Sequence, residues 1–250
     1  MIRVADLHKS FKNKMVHDGV SFEVKTGETL TIIGGSGTGK SVLLKQIVGL
    51  IKPNSGEIWV DSEEITKLNE EGLQEVQKKI GYVFQESALF DSLNVGENVA
   101  FGLCSAMICE ESVGLKIARQ KLDQVGLAGI EKLKPSQLSG GMKKRVGIAR
   151  AIAMSPGILL YDEPTTGLDP VMADVISDLI LRLKRESGTT AIAVTHDMKS
   201  AYKISDKIAM LYGGKILEVG TPKEIQQSKN PTVQQFITGS SHGPIPVPKI

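Results

Sequence analysis

The chain has 250 residues, 41% apolar and 23% charged, which suits a core-forming globular protein of one large domain or two small ones. Thirty Lys and Arg against 28 Asp and Glu leave a net charge of +2, and aromatics make up only 4%. That balance excludes a nucleic-acid binder working by bulk charge, and the scarcity of rings excludes a stacking platform for single strands.

In chain order, Met1 to Lys12 alternates charged and apolar residues and lacks the continuous apolar core of a signal peptide. Ile2–Val4 and Val20–Val24 alternate as strands, and Thr29–Ile33 is a β-branched run suited to a buried strand. A glycine loop, Gly34 to Gly39, follows directly. A helical pattern comes next, with Val42, Leu43, Leu44, Ile47, Val48, Leu50 and Ile51 as its apolar positions, until Pro53-Asn54-Ser55-Gly56 stops it. Glu57–Asp61 is another short strand, and the stretch 87–156 is helix-rich. Val99 to Cys109 is the longest run without a charged or strongly polar group, far short of the about 20 residues that span a bilayer. Cys104 and Cys109 lack CxxC spacing and read as buried, reduced thiols. Ile158–Tyr161 and Thr190–Thr195 are apolar runs typical of buried parallel strands, and the helix between them opens with Asp169 as N-cap and Pro170 in the first turn. Strand, helix, strand at this spacing is a right-handed crossover. The segment 236–250 changes character: its Pro244-Ile245-Pro246-Val247-Pro248 favours an extended, polyproline-like tail.

The strongest chemical signal is Gly34-Gly35-Ser36-Gly37-Thr38-Gly39-Lys40-Ser41, a full match to GxxxxGK[ST] between a strand and a helix. Such a loop curls so that its N–H groups point at phosphate oxygens, and the helix behind it adds its positive end. Lys40 supplies a charge for the β- and γ-phosphates, and the Ser41 hydroxyl is a candidate Mg²⁺ ligand. Asp162 falls at the tip of the Ile158–Tyr161 run, where one carboxylate can hold Mg²⁺ through water. Glu163, the next residue, is then free to orient and deprotonate the attacking water. A GTPase would need an NKxD element. Asn13-Lys14-Met15-Val16 lacks the aspartate and precedes the phosphate loop, so that reading is set aside.

Leu138-Ser139-Gly140-Gly141-Met142 lies twenty residues before Asp162. Here the sequence resembles the ATP-binding subunits of ABC transporters, over about residues 2 to 225. The LSGG run also makes local sense: Ser139 is a good N-cap, and Met142, Val146, Ala149 and Ala153 form a stripe to bury. The resemblance implies that Ser139, Gly140, Gly141 and Asp169 contact the ATP held by a second subunit. Gln85 matches the Q-loop residue that senses Mg²⁺ or the attacking water. His196 matches the switch histidine, and Phe11 the aromatic stacked on adenine. Met142 departs from the commoner Gln. The implied fold is an α/β P-loop NTPase of the ABC ATPase type, with a parallel-sheet core, an N-terminal antiparallel β region and a helical subdomain near 87–156. The ATP-binding domain would cover 1–235 and the tail 236–250.

Phe84 to Val95, then Glu97-Asn98-Val99, is similar to the ATPases of Mla-type phospholipid systems, as are the LSGGM variant and the tail. That resemblance implies a homodimer on the cytoplasmic side of the inner membrane, bound to a permease with MCE-domain and STAS-domain partners. It implies ATP and Mg²⁺ as ligands. Ala88, Leu89, Phe90 and Leu93, apolar residues just past Gln85 and flanked by Glu86 and Asp91, place the expected permease contact within Glu86 to Val99. Solvents, ribonucleotides or other small solutes stand as alternative cargo. A non-transport ABC ATPase is disfavoured, because no coiled-coil insertion or second cassette is present. A regulatory module without turnover is disfavoured by the presence of Glu163 and His196.

Overall fold

The structure is a computed structural model and describes residues 1–12, 14–106 and 108–246. The chain divides into two compact units, Met1–Asn69 with Ile192–Ile250, and Glu70–Ala191.

In chain order the first unit begins with β1 (Ile2–Phe11), β2 (Lys14–Val24), β3 (Thr29–Ile33), α1 (Lys40–Ile47), β4 (Ser55–Val60) and β5 (Glu63–Glu64). The second holds α2 (Glu70–Lys78), β6 (Ile80–Val83), α3 (Val95–Ser105), α4 (Glu111–Gln124), α5 (Gly140–Ala151), β7 (Ile158–Asp162) and α6 (Pro170–Ser187). The chain passes back along β8 (Thr190–Thr195) and closes the first unit with α7 (Met198–Ile204), β9 (Lys207–Tyr212), β10 (Lys215–Gly220), α8 (Pro222–Gln226) and α9 (Pro231–Thr238).

In the first unit an antiparallel sheet has the order β2-β1-β4-β5, with Ile2 opposite both Val24 and Val60. The fully buried β3 runs parallel to β9, and β10 returns antiparallel through the Gly213-Gly214 turn. Helix α1 is shorter than its apolar pattern suggests. Gly49 takes φ 76 just past the helix, the left-handed stop that glycine adopts at low cost, and Leu50 is left exposed.

In the second unit β6 runs parallel to β7, pairing Ile80 with Ile158 and Val83 with Tyr161. Helix α3 starts with a capping box between Asn94 and Glu97. The helices α3, α4 and α5 bury Val95, Val99, Leu103, Ala118, Leu122, Val146 and Ala149. Cys104 and Cys109 are free but half-buried, not buried as expected, because α3 ends at Ser105 and both thiols stand at the rim of this core. Among the described residues no helix is long and apolar enough to cross a membrane.

The tail expected over 236–250 is corrected at its near end. Helix α9 runs on to Thr238 and is closed by Gly239 at φ 67. Residues 240–246 do not run on as a stiff arm. Ile245 packs, with Phe236 and Ile237, against a cluster of Ile33, Ala201, Ile208, Met210, Ile225 and Val233. The Gln235 amide secures the return, its Nε2 donating to the Ile245 carbonyl at 3.1 Å and its Oε1 accepting the Ile245 N–H at 2.6 Å. Burial of an apolar side chain and pairing of both its backbone groups outweigh the extended preference of the flanking prolines. Val247, Pro248, Lys249 and Ile250 lie outside the described residues.

Candidate functional site

The first unit carries the phosphate loop. It leaves β3 after the buried Ile33, and α1 begins at Lys40 itself. The Lys40 side chain is 6% exposed and folds over its own loop, donating to the Gly34 carbonyl at 2.8 Å and the Gly35 carbonyl at 3.0 Å. The Thr38 hydroxyl donates to the Gly35 carbonyl at 2.8 Å. Side-chain donors thus hold loop carbonyls while Ser36 and Gly37 stay exposed at the rim. Gly39 sits at φ 101, and a Cβ there would lie 2.5 Å from Val16 Cγ1 and 2.8 Å from His17 Nε2. Only glycine fits this approach.

His17 is a residue the sequence reading missed. It is fully buried in β2, with Nε2 3.1 Å from the Gly39 carbonyl and Nδ1 2.8 Å from Gln46 Oε1 on α1. Nε2–H donates to Gly39, and burial lowers the ring's pKa, so the neutral form is favoured. A neutral ring offers Nδ1 as an acceptor. Turning the Gln46 amide over would satisfy it and pair the Nε2 amide group, otherwise without a partner among the described residues. His196 is exposed directly after β8, and the next residue, Asp197, caps α7 through Lys199 N at 3.0 Å. Phe11 ends β1 with 44% of its surface exposed and the Lys9 ammonium 5.0 Å from its ring centroid, so it is not a core residue.

The second unit carries the carboxylates. Asp162 is the last residue of β7, 4% exposed, and its Oδ2 accepts the Tyr82 hydroxyl at 3.0 Å. Burial and the Asp162 charge together push the Tyr82 pKa far above its usual value, so Tyr82 stays a donor. Glu163 is buried and takes φ 48, a left-handed conformation that costs a non-glycine residue roughly 1–2 kcal/mol. Its Oε2 accepts the Thr166 hydroxyl at 2.9 Å. Gln85 is exposed two residues past β6. The loop after it contains Ser87 and Ala88, both at positive φ, and Arg150 of α5 donates to their carbonyls at 2.6 Å each.

Ser139 caps α5, accepting Met142 N–H at 3.3 Å, and Ser139 and Gly140 lie exposed at the helix start. Val146, Ala149 and Ala153 are buried as the stripe requires, whereas Met142 is only half-buried. Asp169 Oδ1 caps α6 through Val171 N at 3.0 Å and Met172 N at 3.1 Å. The Ser41 hydroxyl, the Asp162 carboxylate and the Gln85 amide oxygen are hard oxygen donors of the kind Mg²⁺ takes.

A sequence profile of the family described as ABC transporter matches residues 17–166. Protein TRIGALACTOSYLDIACYLGLYCEROL 3 of Arabidopsis thaliana is 41% identical, with 98% of this chain aligned to 75% of that one. The intermembrane phospholipid transport system ATP-binding protein MlaF of Haemophilus influenzae is 38% identical over 98% of this chain and 93% of its own. The probable ribonucleotide transport ATP-binding protein mkl of Mycobacterium tuberculosis is 38% identical over 98% of this chain and 68% of its own. Among solved structures, the dimeric ATP-binding cassette MJ0796 with bound ADP and Pi superposes with a TM-score of 0.82. It is 33% identical and covers 89% of this chain and 99% of that one.

Proposed function

We propose, on the premise that this chain belongs to the ABC transporter family as an ATP-hydrolysing subunit, that it powers phospholipid movement through a membrane permease. In this reading the loop 34–41 takes the phosphates of ATP: its backbone N–H groups and the Lys40 ammonium bind the negative oxygens, and Ser41 reaches the accompanying Mg²⁺. Asp162 and Gln85 supply the other oxygens toward that ion, whose chemistry is to neutralise charge building on the transferred phosphoryl group. Glu163 takes the proton from the attacking water, and the Thr166 hydroxyl holds one of its carboxylate oxygens. His196 stands beside the γ-phosphate, and Phe11 stacks on adenine. A homodimer completes the site, since the exposed Ser139 and Gly140 at the start of α5 present an anion-seeking helix end outward, toward the ATP of a second copy. Asp169 would reach the same partner.

Phe90 and Phe101 stack at 4.5 Å between centroids and are each 42% exposed. An exposed aromatic pair on the segment after Gln85 suits a permease contact. The cytoplasmic side of the membrane, an MCE-domain partner and a STAS-domain partner follow from the Mla-type reading.

The observation that carries the lipid cargo is the near end-to-end match to a relative whose name is phospholipid transport: 98% of this chain against 93% of that one. The ribonucleotide reading has the same identity but accounts for less of its relative, 68%. The test is to purify the subunit with the permease it co-isolates with and reconstitute both in vesicles. ATP-dependent transfer of labelled phospholipid supports the proposal. ATP-dependent uptake of nucleotide with no lipid movement replaces it with the second reading.

A further inference from the structure

Lys144 does not belong where it is by ordinary rules. It lies on α5, five residues after the capping Ser139, and only 7% of it is exposed. An ammonium in such a place loses its water, and a methionine of similar length would avoid that cost. Burial accordingly lowers the Lys144 pKa, while the carboxylates of Glu86, Glu163 and Asp162 act in the opposite direction.

The ammonium is spent on two backbone carbonyls. It donates to the Gln85 carbonyl at 2.5 Å and to the Glu163 carbonyl at 3.2 Å. These belong to the residues assigned above as sensor and general base. Glu163 is also the residue held at φ 48, so Lys144 grips the carbonyl of a strained peptide. One side chain thus ties together the helix that begins at Ser139, the loop at Gln85 and the end of β7, all within the second unit.

We infer that Lys144 is a positioning residue: it couples α5 to Gln85 and Glu163, so that a shift of α5 when Ser139 meets nucleotide is transmitted to the backbone of the base. The coupling is mechanical. A helix is stiff along its axis, and two hydrogen bonds from one nitrogen fix the spacing of the carbonyls they reach. The inference rests on Glu163 being the base, and it assigns Lys144 no contact with ATP.

The test uses the full chain and steady-state ATP hydrolysis. Lys144→Met keeps the buried stem and removes the donors. It is expected to lower kcat about 10- to 100-fold, as a mispositioned catalytic group does, with KM for ATP within about threefold. Lys144→Arg keeps charged donors and is expected to recover most of kcat. Should Lys144→Met fail to fold, Lys144→Gln, which keeps a donor, is expected to give an intermediate kcat. A Met or Gln variant with wild-type kcat overturns the inference, as does a Met variant whose melting temperature drops while kcat per folded molecule is unchanged. Glu163→Gln is run beside them. If it still turns over normally, the reading of Glu163 fails. If it is inactive while Lys144→Met is normal, only the role of Lys144 fails.

Discussion

The phosphate loop and the carboxylate end of β7 do related work by different construction. In the loop, local bonds recur: Lys40 and Thr38 hold carbonyls of their own loop, no more than six residues away. Asp162 and Glu163 instead depend on distant groups, with Tyr82 eighty residues away on Asp162 and Lys144 nineteen away on the Glu163 carbonyl. A phosphate is recognised by many backbone dipoles, so a short curl of chain suffices. A general base must point one oxygen at one water, and that takes side chains from several elements.

The sharpest way to break this comparison is Glu163→Gln. It is expected to slow turnover on the order of 10²–10⁴-fold while ATP affinity holds within about threefold, because the proposed reading gives the phosphates to the loop 34–41 and only the proton transfer to Glu163. Equal single-turnover rates in wild type and variant would remove Glu163 from the chemistry. Lys40→Ala tests the other side. Loss of charge-assisted hydrogen bonds to phosphate, about 1.5–3 kcal/mol, should weaken ATP binding about 10- to 100-fold by calorimetry. An unchanged affinity would mean that the backbone cradle acts alone.

A smaller effect marks a place where the loop leans on a distant residue. His17 donates to the Gly39 carbonyl from β2, and His17→Leu leaves that carbonyl and Gln46 with lost partners, at about 1–3 kcal/mol of stability. The pH dependence has a definite sign. Burial holds the native pKa of His17 below the ordinary histidine value of 6.5, so below that pH the unfolded chain binds the proton more readily. Wild-type stability should therefore fall as pH drops from about 6.5 through the lowered native value. The Leu variant should lose this component of the slope. Denaturant melts at a series of pH values measure it, and parallel curves for the two proteins would exclude His17 as the source.

The smallest effect lies farthest from the chemistry. Gln235→Ala removes both hydrogen bonds to Ile245 and should cost about 1 kcal/mol in urea unfolding, with kcat unchanged. Identical midpoints would mean that the fold-back of 240–246 adds nothing to stability.

Much of this architecture was legible in the chain because it depends on neighbours in sequence. The β-branched run Thr29–Ile33, the glycine loop after it, and the caps Ser139 and Asp169 all act within a few residues of themselves. The run before Asp162 likewise placed a carboxylate at a strand end, and β7 closes on that residue. What tertiary structure alone decided are the contacts whose partners the chain brings from afar. Lys144 in an LSGG helix looks like a solvated cation until the Gln85 and Glu163 carbonyls arrive over it. His17 looks like one more strand residue until α1 and Gly39 close on both ring nitrogens. The prolines around Ile245 favour extension, yet the cluster around Ile208 and Val233 draws that residue back. Local preferences are worth tenths of a kcal/mol to about one per residue, and burial or a buried hydrogen bond outweighs them wherever the fold supplies the partner.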